Sequence, residues 1–93
     1  MKKSSSRPDL YIVYRLLKIL KEHGPMSKTS LALYAKLNYQ RAAAYLQHLR
    51  DAGLVELEKE VALTKKGYET LEKLEEVLKN LEVYRNISSD NQK

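Results

Sequence analysis

One segment of the sequence carries long polar side chains whose types and spacing suit contact with the edges of base pairs. Arg41 can form two parallel hydrogen bonds with guanine, and Gln40 or Gln47 can do the same with adenine. Ala43 and Ala44 are small enough to let a helix sit close to a DNA groove and touch a thymine methyl group. This chemistry requires a helix that presents all of these side chains on one exposed face.

Basic and hydroxyl side chains around this segment would supply attraction that does not depend on base sequence. The helix starts predicted at Ser27 and Asn38 are further candidate phosphate anchors, because helix N-termini favour anions. We interpret Tyr39 and Tyr45 mainly as core or boundary aromatics. The residues predicted to contact DNA are Lys28, Thr29, Lys36, Tyr39, Gln40, Arg41, Ala43, Ala44, Gln47, Arg50 and Lys59.

The charge of the chain is unevenly distributed. The 93 residues carry a net charge of +5. Residues 1–50 hold ten Lys/Arg against two acids, whereas residues 51–93 hold seven against ten. A basic front half and an acidic back half indicate that one face meets a polyanion while the other serves another purpose.

The elements that must position these side chains can be read from apolar spacing and stop signals. The first helix is predicted to start with Ser6 as its cap and Asp9 completing a capping box, and to end at Gly24 and Pro25. Its apolar stripe runs through Leu10, Val13, Leu17 and Leu20, widened by Ile12, Leu16 and Ile19.

Two capped helices follow, joined by a turn of about three residues. Ser27 caps a helix over 28–36, and Asn38 caps a helix over 39–52 that stops at Gly53. Their inward side chains are predicted to be Leu31, Tyr34 and Ala35 in the first helix, and Ala42, Leu46 and Leu49 in the second.

After Gly53 the apolar period changes to that of strands. Residues 54–58 and 61–63 form a predicted hairpin around Lys59 and Glu60, and Thr64 caps a last helix from Lys65 to about residue 86. That helix repeats leucine at the 3-4-3 spacing of a coiled coil, which predicts pairing with a second copy. The predicted dimer interface is Leu71, Leu74, Val77, Leu78, Leu81 and Tyr84. Folding of this seam onto its own domain is the alternative.

The order helix, helix-turn-helix, hairpin, helix is the winged-helix layout. The runs Leu37–Leu49, Gly53–Val55 and Leu63–Gly67 resemble the archaeal winged-helix DNA-binding proteins of the Sulfolobus 10a type. This resemblance implies a long C-terminal helix that pairs with its copy as an antiparallel coiled coil, with roles in chromatin organisation or transcriptional control. The sequence departs from the family at Ala43 and Ala44 and in its acidic hairpin.

The expected protein is therefore mainly α with a small β-hairpin, a winged helix-turn-helix plus a dimeric coiled-coil helix. We predict a flexible basic tip at residues 1–8, a DNA-binding domain at 9–64, a dimerisation helix at 65–86 and a disordered tail at 87–93. Expected partners are double-stranded DNA and a second copy, in a cytoplasmic, nucleoid-associated protein. The main alternative is a protein-interaction module on the same scaffold, and a weaker one is membrane-surface binding by the first helix through Arg15, Lys18 and Lys21.

Catalysis has little support in the sequence. There is no cysteine, and His23 and His48 have no partner at metal-ligand spacing. No phosphate-cradling glycine loop is present. We expect no enzymatic activity, no cofactor, no metal, no small-molecule substrate and no membrane partner.

Overall fold

The structure, a computed structural model, describes residues 9–92, with side chains described for residues 9–81. The elements follow the predicted order: α1 (Leu10–His23), α2 (Lys28–Ala35), α3 (Tyr39–Asp51), β1 (Val55–Leu57), β2 (Val61–Leu63) and α4 (Lys65–Gln92). The predicted winged-helix architecture is confirmed, and the hairpin of β1 and β2 is its wing. The predicted N-terminal tip at 1–8 lies outside the described residues.

Helix α1 has its cap at a residue three positions after the predicted one. Asp9 is itself the cap, and its carboxylate accepts a hydrogen bond from the Tyr11 N–H at 2.8 Å. The predicted cap Ser6 lies outside the described residues. The Asp9 N–H donates to the Tyr45 hydroxyl at 2.8 Å, which ties the start of α1 to α3. The helix ends at Gly24, as predicted, with φ of 87°.

Helix α1 lies at the centre of the core, where it contacts α2, α4 and β2. Leu16 and Leu17 are fully buried, as are Leu31 of α2, Leu46 of α3 and Leu71 of α4. Full burial of one leucine side chain stabilises a fold by about 1.5–3 kcal/mol. The other buried core members are Ile12, Val13, Leu20, Met26, Ala35, Tyr45, Leu49, Leu54, Val55 and Val61.

A side chain of α1 also caps α2. The Arg15 guanidinium donates to the Ala35 carbonyl at 2.7 Å, where the last carbonyls of a helix lack partners within it. Arg15 was one of three basic residues on which the membrane-surface alternative relied. No helix within residues 9–92 is long and apolar enough to cross a membrane.

The structure corrects the predicted inward face of α2. Leu31 and Ala35 are buried as predicted, but Tyr34 is 54% exposed and Ala32 takes the inward position. Tyr34 stacks on His23 of α1, with ring centroids 4.7 Å apart. A helix of eight residues has too few turns for its apolar residues to define one face.

The wing is fastened to the loop between α1 and α2. Strands β1 and β2 are antiparallel, with Val55 opposite Leu63 and Leu57 opposite Val61. Met26 pairs with Val61 through two backbone hydrogen bonds of 3.1 and 2.8 Å. No sequence pattern predicted this pairing, which joins the wing to the start of the helix-turn-helix.

Helix α4 differs from its prediction at the C-terminal end. Its helical backbone continues through Gln92, whereas the sequence predicts a stop near residue 86 and a disordered tail at 87–93. No glycine or proline follows Gly67, so nothing in the sequence forces an earlier stop. Leu71 and Leu74 pack on the core, so the first half of α4 is part of the same folded unit.

The first turn of α4 approaches the backbone of Leu54 so closely that only glycine fits. A methyl group added at Gly67 would overlap the Leu54 carbonyl and press on the Leu63 side chain. The Leu54 carbonyl also accepts the Thr64 N–H at 3.0 Å, and the Thr64 hydroxyl accepts the Gly67 N–H at 3.0 Å. These bonds leave the carbonyl little freedom to move.

We expect Gly67→Ala to lower the free energy of unfolding by about 1–3 kcal/mol, because the added methyl forces the backbone apart. In an exposed helix the same substitution stabilises the protein by roughly 0.5–1 kcal/mol. The sign of the change in unfolding free energy therefore distinguishes a close backbone approach from an open helix position. Urea unfolding measures the difference, with Lys66→Ala at the neighbouring exposed position as the control. A stabilised Gly67→Ala protein would contradict the close approach.

Candidate nucleic-acid interface

The interface is built on two helices whose starts are fixed by their caps. The Ser27 hydroxyl accepts the Ser30 N–H at 3.0 Å, and the Asn38 side-chain oxygen accepts the Arg41 N–H at 2.8 Å. Both predicted caps are confirmed. Each cap uses one of the backbone N–H groups that a helix start leaves unpaired, and the others point outward.

The turn between α2 and α3 holds a lysine in the left-handed backbone region. Lys36 has φ of 59° and ψ of 43°, and it is the one non-glycine residue with positive φ within residues 9–92. Its N–H donates to the Leu33 carbonyl at 3.1 Å, and the Leu37 N–H donates to the Ala32 carbonyl at 3.0 Å. This pair of bonds defines a Schellman motif, which usually has glycine at this position.

The same motif ends α3 with the expected residue. The Gly53 N–H donates to the Arg50 carbonyl at 2.9 Å, the Leu54 N–H donates to the Leu49 carbonyl at 2.8 Å, and Gly53 has φ of 81°. The chain therefore uses one Schellman motif twice, with glycine after α3 and lysine after α2. The lysine places an exposed cation beside the start of α3.

Helix α3 separates a buried face from an exposed one, as predicted. Ala42, Leu46 and Leu49 are buried, and Tyr45 joins them with 9% exposure. Gln40, Ala44, Gln47 and Asp51 lie about 180° around the helix from these residues and are all exposed. We name these four residues the outer stripe.

Two arginines border the outer stripe on opposite sides. With about 100° of rotation per residue, Arg41 lies roughly a quarter turn to one side of the stripe and Arg50 a quarter turn to the other. Both are exposed. A major groove is about 12 Å wide, close to the diameter of a helix with its side chains, so the two arginines would face opposite walls of the groove.

All eleven residues predicted to contact DNA lie at the surface. Lys28 and Ala43 are half-buried, and the other nine are exposed. Tyr39 is 50% exposed and Tyr45 is in the core, where its hydroxyl bonds to Asp9. The structure therefore presents the predicted residues, and their contact with DNA stays a prediction.

Two acidic features accompany the basic residues. The wing carries exposed Glu56, Glu58 and Glu60 around exposed Lys59, which would oppose phosphate contact by the wing. Exposed Asp51 of α3 is an acidic residue that is not among those predicted to contact DNA. Its carboxylate accepts a long, 3.4 Å hydrogen bond from the Gln47 amide, and the spacing of four residues from Gln47 is the signal that could have placed it there.

The apolar seam of α4 divides into two parts. Leu71 is fully buried in the core of its own domain, so the prediction that it belongs to a dimer interface is wrong. Leu74 and Leu78 are half-buried, and Val77 and Leu81 are 52% and 50% exposed. The side chain of Tyr84 lies outside the described residues.

A groove of about 320 Å³ runs beside this exposed part of the seam, between α1 and α4. It is lined by Tyr11, Tyr14, Glu75, Leu78 and Lys79. Near this groove, hydrogen bonding to Tyr14 raises the pKa of Lys18, with smaller contributions from Glu22 and Glu75. Within residues 9–81, the His, Asp and Glu side chains form no cluster of three that could hold a metal ion.

The sequence of residues 6–82 matches the family described as winged helix-turn-helix. None of the curated proteins matches the chain.

Among solved structures, ligand-free NadR superposes with a TM-score of 0.71 at 26% identity, over 92% of this chain and 64% of NadR. A MarR family protein from Bacillus stearothermophilus gives a TM-score of 0.67 at 16% identity, over 96% of this chain and 79% of its own. The transcriptional regulator Tm0710 from Thermotoga maritima superposes with a TM-score of 0.64 at 20% identity, over 85% of this chain and 59% of Tm0710. The last two likenesses show a shared fold alone. The chain spans less than two thirds of NadR and of Tm0710.

We expect Lys36→Gly to raise the free energy of unfolding by roughly 0.5–1 kcal/mol. Left-handed backbone costs a side-chain-bearing residue about 1–2 kcal/mol, and the greater freedom of glycine in the unfolded chain offsets part of that gain. Thermal or urea unfolding measures the effect. The matched control is Gly53→Ala, which places a side chain into the second copy of the motif and should destabilise. Equal signs for the two substitutions would rule out this account of the turn.

Proposed function

The chain belongs to the winged helix-turn-helix family, and from this we propose that it is a non-enzymatic, homodimeric DNA-binding protein that regulates transcription or organises chromatin. Helix α3 enters the major groove, and the start of α2 lies against the phosphate backbone. The observation that carries the proposal is the exposed outer stripe of α3, bordered by Arg41 and Arg50.

The electrostatics of the helix-turn-helix support this mode of binding. Residues 27–53 contain four Lys/Arg and one acid, Asp51. Lys28 and Lys36 stand at the start and end of α2, and the outward N–H groups of two capped helices add partial positive charge. Cations and helix starts on one surface supply attraction to phosphates that does not depend on base sequence.

The acidic wing supports binding through α3 over binding through the hairpin. Glu56, Glu58 and Glu60 outnumber the one basic residue of the wing, Lys59. Carboxylates near phosphates cost Coulomb energy, so the wing contributes little to affinity and Lys59 at most one contact. The wing instead supports the helix-turn-helix through the pairing of Met26 with Val61.

Dimerisation would use the exposed second half of α4. Val77 and Leu81 leave apolar surface in water on a helix that continues to Gln92. An isolated helical segment is marginal in water unless an apolar face is packed, and a second copy supplies the same face by symmetry. We further propose that the two copies of α4 pair in antiparallel orientation, as the resemblance to the archaeal Sulfolobus 10a type proteins implies. That narrower resemblance, and nucleoid association in the cytoplasm, are parts of the same proposal.

Two observations favour a second candidate function, the protein-interaction module. Leu33 is 74% exposed beside the stacked Tyr34 on the outer face of α2, and the wing is acidic. A protein partner could cover such a surface without DNA contact. The salt dependence of binding to duplex DNA separates the two functions.

We expect affinity for a random duplex to fall with salt, with a log–log slope equivalent to four or more phosphates at about −0.9 each. Arg41→Ala should weaken binding, since it removes a cation that borders the outer stripe. Lys73→Ala is the matched control because it removes the same charge from the exposed side of α4. Fluorescence anisotropy measures both. Failure to bind at low salt would move the assignment to the protein-interaction module.

A protein with Val77→Asp and Leu81→Glu should sediment as a monomer, because both charges would lie in the proposed dimer interface. The fold should persist, since Leu71 and Leu74 are unchanged. Lys73→Glu on the same helix is the control and should stay dimeric. Sedimentation equilibrium gives the mass, and a wild-type monomer at micromolar concentration would overturn the dimer proposal.

A further inference from the structure

We propose that the outer stripe of α3 selects A·T base pairs at two positions about three base pairs apart in each half-site. This inference rests on the proposed function and specifies its target. It follows from which side chains occupy the stripe and which are displaced to its edges.

The stripe contains no basic side chain. Gln40, Ala44 and Gln47 are the residues that would lie deepest in the groove, directly opposite the buried face of α3. A glutamine amide matches the N6 and N7 atoms of adenine, and an alanine methyl packs on the thymine methyl. Guanine is read most often by arginine or lysine, and neither occupies the stripe.

The arginines are placed for phosphate contact instead. Arg41 and Arg50 stand a quarter turn from the stripe on opposite sides, facing the two walls of the groove. The structure therefore favours a phosphate role for Arg41 over the guanine contact that its residue type alone indicates. Affinity and selectivity then reside in different side chains.

Asp51 positions the second glutamine. Its carboxylate accepts the Gln47 Nε2–H at 3.4 Å, which directs one amide hydrogen along the helix. The carbonyl oxygen and the second amide hydrogen stay free, and these are the acceptor and donor that adenine requires.

The spacing of the stripe sets the spacing of the selected pairs. Gln40 and Gln47 are seven residues apart, which is about 10.5 Å along a helix that rises 1.5 Å per residue. Base pairs are spaced by about 3.4 Å along the duplex axis, so with α3 parallel to that axis the two glutamines face positions about three steps apart. Ala44 lies between them, opposite an intervening pair.

The test begins with selection of bound sequences from a random duplex pool, followed by substitution in the enriched duplex. We expect A·T to be enriched at two positions about three base pairs apart. Replacing either pair by G·C should weaken binding about fivefold or more, the lower range for one bidentate contact. Replacing it by inosine·C should weaken binding equally, because that pair has the major-groove edge of G·C and the minor-groove edge of A·T.

Variants assign each position to a side chain. Gln40→Ala should abolish the preference at one of the two positions and Gln47→Ala at the other. Lys28→Ala, the phosphate-contact control, should weaken binding to every duplex by the same factor. Asp51→Ala should reduce the preference only at the Gln47 position, which a merely structural role would not do.

The outcomes separate the inference from the proposed function. Salt-dependent binding with no A·T enrichment, or inosine·C duplexes bound as tightly as A·T, would overturn the selectivity and leave DNA binding in place. Absence of binding to any duplex at low salt would overturn both. A preference that survives in the protein carrying both glutamine substitutions would also overturn the inference.

Discussion

The arrangement of the molecule depends on the backbone of Leu54, where three elements meet. Its N–H closes the end of α3 by bonding to the Leu49 carbonyl, and its own carbonyl accepts the Thr64 N–H that follows the wing. Gly67 packs directly against that carbonyl at the start of α4. The direction of α3, the position of the wing and the departure of α4 are therefore fixed by the backbone of one residue and its neighbours.

The two turns that flank α3 both need a residue with left-handed backbone, and the conformational free energy of that residue differs between them. Gly53 takes positive φ without penalty, whereas Lys36 does so against the preference of a side-chain-bearing residue. Arg15 holds the adjacent end of α2 through the Ala35 carbonyl, which restrains the turn from the other side. Backbone strain that the surroundings enforce is often kept at binding surfaces, and the exposed lysine beside α3 fits that pattern.

Features set by neighbouring residues could be predicted from sequence, and features set by distant contacts could not. The caps Ser27 and Asn38 act within one helical turn, so residue type and spacing identify them. The bridge at Met26 is a single pair of residues, so no periodic pattern in the sequence predicts it. The left-handed turn at Lys36 lacks the glycine that usually identifies such a position. Leucine repeats such as that at Leu71 have the same spacing whether they pack inside one domain or between two copies. The exposed face of α3 was predictable because its buried residues repeat regularly; the displacement of its arginines to the edges required helical geometry.

The direct connection between α3 and α4 has a consequence for helical phase along DNA. No flexible linker separates α3 from α4, because Gly67 packs against Leu54 and the Thr64 hydroxyl donates to the carbonyl of Gly53, two residues that lie just past the end of α3. Each added base pair between half-sites rotates one of them by about 34°, since a turn holds about 10.5 pairs. Two heads joined rigidly through α4 would accept half-sites at one separation and one phase and would reject insertions that change either, so the operator would be recognised by the spacing of its half-sites as well as by its bases.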